Sequence, residues 1–488
     1  MAGKCVGISG FAVYVPPYRV DLERWCDWTK KPWDKTCSVV GRSFRMRGPH
    51  QSVYTMAATA VMRLIEHYQI DPNRVRFLGF GTESSTDNSA GAVIIKGMLD
   101  EALRAKGLQP LARNCEVPEI KHACLGGIYA LKHGLRYLAL EEEDSCAIVV
   151  SADIAEYARG SSGEPTQGAG AVAMLLEREP KMLAVELNHI GSASAYRAVD
   201  FRKPVLRNII RGTLNCHFQD LPVFNGKYSI TCYLDETLHA LQDMLRRMGK
   251  NPSDYYRSLS AVFMHRPYHR MPVTSFAMSY LFGLARNGTA GKKELAKHCD
   301  HASINVDEII KEMRSTPDIL QLVKNRNIDD DVYPLSIQLL KDFCDSDFFE
   351  SAVAPKMALG SEAMKDIGNV YCAALPAWIA AGLEDALAQK RDITGKKILA
   401  VGYGSGDAAE AIPMVVMKDW EKATAQIGFN LSLQPQQNLT QIQYENLHDT
   451  GNAQGLESPN EGFVVDSIGS SEHPSFSDEG IEYYKFVR

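Results

Sequence analysis

No run of about 18 consecutive apolar residues, the length a membrane-spanning helix needs, occurs in this chain. The first 17 residues lack both a basic stretch followed by a long apolar one and a small-residue cleavage site. They read as an apolar strand running into Pro16-Pro17, not as an export signal. Positive charge is not in excess: 53 Lys and Arg stand against 59 Asp and Glu, a formal net charge of −6. That balance gives no general attraction for nucleic acid, so a polyanionic ligand would have to be met by local cationic clusters. CxxC pairs are missing as well. The 11 cysteines are scattered from Cys5 to Cys372 and odd in number, which points to reduced thiols in the cytoplasm, most of them small buried residues. Cys124 is the candidate exception.

What is present is a chain of 488 residues, 45% apolar and 23% charged, able to bury a large core in two or more packed units. Apolar residues recur at helical spacing over 52–70, Asp71-Pro72 stops that helix, and 75–81 reads as a buried strand carrying Thr82-Glu83-Ser84-Ser85 at its end. An extended segment over 117–123 then leads to Cys124. Gly126-Gly127 opens a helix with Ile128, Leu131, Leu135 and Leu138 on one face. Residues 141–144 read as an acidic turn and 147–151 as a strand; further on, 239–248 reads as a helix, 259–264 as a strand, and 273–387 as largely helical. The class is α/β. Gly168-Ala169-Gly170-Ala171 and Gly402-Tyr403-Gly404-Ser405-Gly406 read as two Gly-rich turns, each leading to an apolar strand, a hint of duplicated halves. From about residue 430 the chain turns polar, with 463–465 and 483–487 as short strands expected on the surface of the preceding domain.

Three constellations carry chemistry. Cys124 at the start of a helix meets unpaired N–H groups and the positive end of the helix dipole, which favour a thiolate. The adjacent glycines let a substrate approach, and the Cys124 amide could serve an oxyanion. Glu83 follows a buried strand in a setting apolar enough to raise its pKa toward that of a general base. His265 ends the strand before Arg266-Pro267-Tyr268-His269-Arg270. Taken singly, a buried Cys, a capping Glu and a structural His are the ordinary readings; together, three strand ends can converge on one sheet edge. His298-Cys299-Asp300-His301 has no second ligand cluster at zinc spacing and reads as a solvated loop.

With Gly81-Thr82-Glu83-Ser84, Ala123-Cys124-Leu125-Gly126-Gly127 and Phe263-Met264-His265-Arg266-Pro267-Tyr268 in this order, the chain resembles the 3-hydroxy-3-methylglutaryl-CoA synthase family of thiolase-like condensing enzymes. Further matches are Ala152-Asp153-Ile154-Ala155-Glu156-Tyr157, residues 163–173, Asp200-Phe201-Arg202-Lys203-Pro204, Gly368-Asn369-Val370-Tyr371 and Tyr403-Gly404-Ser405-Gly406. The resemblance implies a five-layered αβαβα fold, usually a homodimer. One thiolase-like half, 1–182, carries Glu83 and Cys124. A second, 183–429, carries His265, Asn369 and an inserted helical region, and a polar region, 430–488, packs on the surface. It implies Cys124 as nucleophile, Glu83 as base and His265 as acid, with Asp153, Tyr157, Asp200, Asn369, Tyr371, Gly404, Ser405 and Gly406 supporting the site or binding substrate.

The substrates so implied are acetyl-CoA and acetoacetyl-CoA or a related β-ketoacyl thioester, with no metal or redox cofactor. Arg202, Lys203, Arg266 and Arg270 are the candidates for the CoA phosphates. The stretch 271–367 is longer than in compact bacterial members, that between Glu83 and Cys124 is also long, and Arg270 stands where a lysine often follows the histidine motif. The alternative is a β-branching enzyme of polyketide assembly that takes acyl groups from an acidic acyl carrier protein at a basic rim of Arg202, Arg207 and Arg211. A ketosynthase leaves Glu83 without a task, and a non-catalytic thiolase-fold scaffold would have an inert Cys124.

Overall fold

The computed structural model describes residues 5–141, 144–203, 221–223, 225–456 and 461–487. Glu142 and Glu143 of the expected acidic turn, and Arg207 and Arg211 of the expected basic rim, lie outside the described residues. Ten strands form one hydrogen-bonded sheet: β1 (Val6–Tyr14), β2 (Val75–Gly81), β3 (Glu119–Ile120), β4 (Cys146–Ala155), β5 (Gly168–Arg178), β6 (Leu183–Val185), β7 (Gly191–Ser194), β8 (Leu259–Met264), β9 (Lys397–Gly404) and β10 (Ala408–Val416). Their order is β8-β9-β10-β6-β1-β5-β4-β2-β3, with β7 also against β10.

The pairing repeats. β2 runs parallel to β4, β4 antiparallel to β5, and β5 antiparallel to β1. β8 runs parallel to β9, β9 antiparallel to β10, and β10 antiparallel to both β6 and β7. The halves are therefore duplicated, but not where the glycines suggested. Gly168 to Ala171 lie within β5, the second strand of its hairpin, whereas Gly402 and Gly404 lie in β9, the first strand of the equivalent hairpin. The two glycine runs are not counterparts, and the first is no turn.

Helices α1 (Val53–His67), α2 (Gly91–Ala105), α3 (Gly126–Leu140), α4 (Gly226–Met248), α5 (Arg270–Ala285) and α6 (Ala374–Ala388) complete the layers. α1 covers β1, β4 and β5, with α2 beside it; α4 covers β7, β9 and β10, with α5 beside it. α3 and α6 lie between the half-sheets. α3 packs on β2, β4 and β5, while from the other side a Cβ on Gly402 of β9 would stand 2.7 Å from Leu125 and 3.0 Å from Ile128. From Ala374 to Leu383 α6 is apolar all round and buried, as a helix wrapped by protein must be. The result is the αβαβα arrangement.

α4 begins well before the expected 239, because its first turns bury Ser229, Asp235 and Glu236 beside Cys232 and Leu234, so no apolar stripe marks them. His298 to His301 lie in the helix Gly288–Ala302 and form no loop; Cys299 is buried and His298 stands edge-on to Phe343 at 5.0 Å. The C-terminal strands Gly462–Ile468 and Glu482–Val487 pair with each other. They dock on the first half, not on the half that precedes them: the Phe463 N–H donates to Thr59 Oγ1 of α1 at 3.0 Å and the Val465 N–H to the His50 carbonyl at 2.9 Å. No helix among the described residues is long and apolar enough to cross a membrane.

The end of β2 and the start of α3 touch through backbone alone. A Cβ on Gly81 would lie 2.3 Å from the Gly127 Cα, which cannot move aside. Gly81→Ala should lower the urea-unfolding free energy by about 3 kcal/mol or more. Gly97→Ala, in exposed helix with nothing within 4 Å, should raise it by about 0.5–1 kcal/mol.

Candidate active site

Asp153, on β4 and fully buried, organises the loops around it. Its Oδ1 accepts from Thr82 Oγ1 (2.9 Å), the Glu83 N–H (2.8 Å), the Ser84 N–H (2.9 Å) and Ser84 Oγ (2.7 Å). Its Oδ2 accepts from the Cys372 N–H at 2.9 Å. The chain after β2 and the chain before α6 are thereby held by one carboxylate. Since Gly81 also lets α3 approach β2, Cys124 Sγ donates to Glu83 Oε2 at 3.3 Å. The residue before the thiol, Ala123, is in the left-handed region at φ 41°, a strained state for a non-glycine. The Cys372 thiol donates to its carbonyl at 3.0 Å.

The second half supplies the opposite wall. His265 continues β8, its N–H donating to the Val401 carbonyl (2.7 Å) and its carbonyl accepting from the Tyr233 hydroxyl (2.7 Å). Asn369 is brought in by close backbone contact between Gly168 and Gly368, where a Cβ on Gly368 would meet the Gln167 carbonyl at 1.8 Å. Its Oδ1 accepts from the Tyr371 N–H at 2.9 Å and its Nδ2 donates to the Tyr157 hydroxyl at 3.4 Å. Tyr157, Phe201 and Tyr371 pack edge to face around Cys124. A cavity of about 400 Å³ is lined by Cys124, His265, Asn369, Tyr157, Tyr403 and Ser405, with Val40, Ile230 and Met271 on its apolar side. A thiol and an imidazole lining one cavity, with the Glu83 carboxyl behind the thiol and in contact with it, suit acyl transfer with carbanion chemistry.

Two family models match the chain: hydroxymethylglutaryl-coenzyme A synthase N terminal over residues 2–181 and its C terminal over 198–447. The chain belongs to the hydroxymethylglutaryl-CoA synthase family. It is 31% identical to the hydroxymethylglutaryl-CoA synthase of Enterococcus faecalis over 268 residues, 54% of this chain and 62% of that protein. It is 25% identical to that of Haloferax volcanii over 414 residues, 83% of this chain and 81% of that protein. Among solved structures, MvaS in complex with 3-hydroxy-3-methylglutaryl coenzyme A superposes with a TM-score of 0.77 at 25% identity, covering 99% of this chain and 100% of that one. The curacin-pathway HMG synthase in complex with holo donor-ACP shares the fold at TM-score 0.69 and 18% identity, covering 99% and 100%. The chain is a condensing enzyme of the acyltransferase type.

In this hydroxymethylglutaryl-CoA synthase site, burial overrides two electrostatic expectations. The Cys124 pKa is pushed well above that of an ordinary thiol, first by desolvation and then by the Glu83 charge, with Cys372 and Asp153 adding to it. The resting group is therefore a thiol, and the helix start does not suffice to make it a thiolate. Desolvation drives His265 down to about 3, so it meets substrate as a neutral imidazole, a hydrogen-bond donor and no preformed cationic acid. Glu83 is raised to about 8 by desolvation and by Asp153, against the pull of Cys124, Lys203 and Lys121.

Of the expected phosphate contacts, Arg266 is ruled out. It is 3% exposed, donates to Ser361 Oγ (3.0 Å) and the Ser361 carbonyl (3.1 Å), and its guanidinium lies 4.9 Å from the Trp378 ring centre, so it stacks within the core. Arg202 and Arg270 are exposed and Lys203 half-buried. Asp153 and Asp200 are buried and are not among the residues that line this cavity. Gly404 serves packing: a Cβ there would meet the His122 carbonyl at 2.6 Å. Sequence reasoning missed Tyr403, Phe201, Ser229, Lys227 and Tyr268 as lining residues. Tyr403, Phe201 and Tyr268 sit inside motifs already singled out, but Ser229 and Lys227 carry no signal.

Because a base must be ionised to act, kcat/KM should rise about tenfold per pH unit on the acid side and bend near pH 8, the Glu83 value. Glu83→Gln should remove that bend and lower kcat by about 100-fold or more, as read from steady-state profiles.

Proposed function

We propose that the chain condenses acetyl-CoA with acetoacetyl-CoA and water to give 3-hydroxy-3-methylglutaryl-CoA and CoA, through an acetyl group carried on Cys124. The observation that carries this reading is the Cys124 thiol on Glu83 at 3.3 Å, facing the neutral His265 across one cavity. As the Cys124 sulfur attacks the acetyl thioester, Glu83 takes its proton and returns one to the leaving CoA sulfur. Glu83 then removes a proton from the acetyl methyl. The enolate carbon adds to the ketone of the acceptor, and the new alkoxide, held by a hydrogen bond from the His265 imidazole N–H, takes up the proton that Glu83 removed from the methyl, which gives the tertiary alcohol and leaves Glu83 ionised again. Water, its proton taken by Glu83, attacks the acyl carbon, the bond to the Cys124 sulfur breaks, and Glu83 passes that proton to the sulfur to restore the thiol.

The backbone amides of Cys124 and Ser405 are the candidates for the thioester oxyanions. The aromatic wall of Tyr157, Phe201 and Tyr371 keeps the site apolar, which favours the enolate over competing hydrolysis. Lys227, paired with Asp331 at 3.1 Å, lines the cavity, and Arg202, Lys203 and Arg270 lie within two positions of the lining residues Phe201 and Met271; these four are the cations proposed for the CoA phosphates. No resident cofactor takes part in this scheme. A homodimer, a cytoplasmic setting and service to isoprenoid synthesis by way of mevalonate belong to the same proposal, as what family membership implies.

Release of CoA from acetyl-CoA plus acetoacetyl-CoA should proceed with the wild-type chain and fall to background in Cys124→Ala. The peptide containing Cys124 should gain an acetyl group by mass spectrometry when acetyl-CoA is supplied alone. Turnover only with acetyl-acyl carrier protein would replace this reading with the β-branching one, and an unacetylated Cys124 with either donor would leave a scaffold.

A further inference from the structure

Behind the Tyr403 wall of the cavity four carboxyl groups are buried together: Asp200, Asp235, Glu236 and Asp407, none more than 3% exposed. Three of them, Asp235, Glu236 and Asp407, face one guanidinium. Arg197 Nη2 lies 2.6 Å from Asp235 Oδ2 and 3.0 Å from Glu236 Oε2, while its Nε is 3.7 Å from Asp407 Oδ2. Asp235 also accepts from the Tyr333 hydroxyl at 2.8 Å and has the half-exposed His239 at 3.6 Å. Two carboxylates are thus provided for. The other two are not: Asp200 and Asp407 have carboxyl oxygens that lie, with Cys232 Sγ, within 4.8 Å of one another. Asp407 Oδ1 accepts from the Gly406 N–H, but its Oδ2 is buried without a hydrogen-bond partner. Like charges so close in a dry site cannot both persist, so the Asp200 and Asp407 pair requires a proton or a cation.

We propose that Asp200 and Asp407 share one proton, with Asp407 the neutral carboxylic acid, and that this pair is a positioning unit for the condensation. Both Asp200 oxygens are engaged by residues of the cavity wall: Oδ1 accepts from Ser229 Oγ at 2.5 Å and Oδ2 from the Tyr403 hydroxyl at 2.9 Å. The Tyr403 ring in turn stacks beside the His265 ring, centres 6.3 Å apart, and against Tyr233, whose hydroxyl holds the His265 carbonyl. The acid keeps Asp200 singly charged and therefore in place. A metal ion fits the gap less well, because Arg197 Nε already faces Asp407 Oδ2 and both Asp200 oxygens are occupied by hydroxyl donors. The remaining titratable groups facing Asp407 are Cys232, Tyr228 and Tyr403, all neutral at physiological pH. Burial and the Asp200 charge push Asp407 up to about 9.

Asp407 touches no substrate and acts through Asp200, so its effect on rate depends on the condensing function proposed above; the protonation itself does not. Infrared spectra of the full chain in D₂O at neutral pH should show a buried carboxylic-acid C=O band that Asp407→Asn lacks. The folded-state pKa lies above the unfolded one. The proton's contribution to stability is therefore complete below the unfolded value and lost as pH rises through about 9, and the resulting slope of unfolding midpoint against pH should flatten in Asp407→Asn. In turnover, kcat should fall about tenfold per pH unit above pH 9 with KM little changed. Asp407→Asn, which keeps a neutral donor, should abolish that limb and restore most of the kcat lost in Asp407→Ala. A carboxylic-acid band that Asp407→Asn leaves undiminished, a stoichiometric divalent metal in the purified chain, or an alkaline limb unchanged in Asp407→Asn would each overturn the proposal. An active-site failure would appear separately, as an unacetylated Cys124 in a chain that keeps the band.

Discussion

Asp153 accepts five hydrogen bonds from two loops, the chain after β2 and the chain before α6, and the placement of Glu83 and Cys372 follows from them. A carboxylate saturated by donors tolerates full burial where an isolated one would not. It also defines the loop after β2 closely enough that a half-buried glutamate reaches a particular sulfur on another element. Cys372 extends the same clamp to the strained Ala123 and hence to Cys124. The aromatic wall, the approach of α3 to β2 and the Asn369 contacts then pack around an arrangement that is already set.

Burial decides the resting charge of every reactive group. Desolvation moves the thiol, the glutamate and the imidazole each toward its neutral form, and the local carboxylates reinforce the effect on the first two. Such a site holds its proton on the Cys124–Glu83 pair until a thioester is present, when transfer to a good leaving group becomes favourable. The same reasoning accounts for the one arginine of the histidine motif that sits in the core: Arg266 is held by Ser361 and Trp378, and burial lowers it to about 9.

Much of the first half was legible because its elements follow simple rules. The strand over 75–81 and the face Ile128, Leu131, Leu135 and Leu138 are periodic and buried as expected. β8 ends at Met264, as its apolar run indicates. The beginning of α4 was not legible, since buried Asp235 and Glu236 resemble surface residues until Arg197, 38 positions away from Asp235, is folded against them. The glycine echo misled because glycine marks close packing within β5 as readily as a turn, and only strand pairing tells the two apart. The C-terminal strands were visible as strands, but their seat on α1 depends on Thr59 and His50, far earlier in the chain.

The sequence by itself determined the family, the α/β alternation and the identities of the thiol, carboxyl and imidazole, because these rest on local periodicity and on short motifs whose residue types are the chemistry. Tertiary structure alone decided their protonation, the exclusion of Arg266 from phosphate binding, and the buried Asp200 and Asp407 pair. Each of these depends on desolvation and on charges from distant segments, and neither is a property of any stretch of chain read alone.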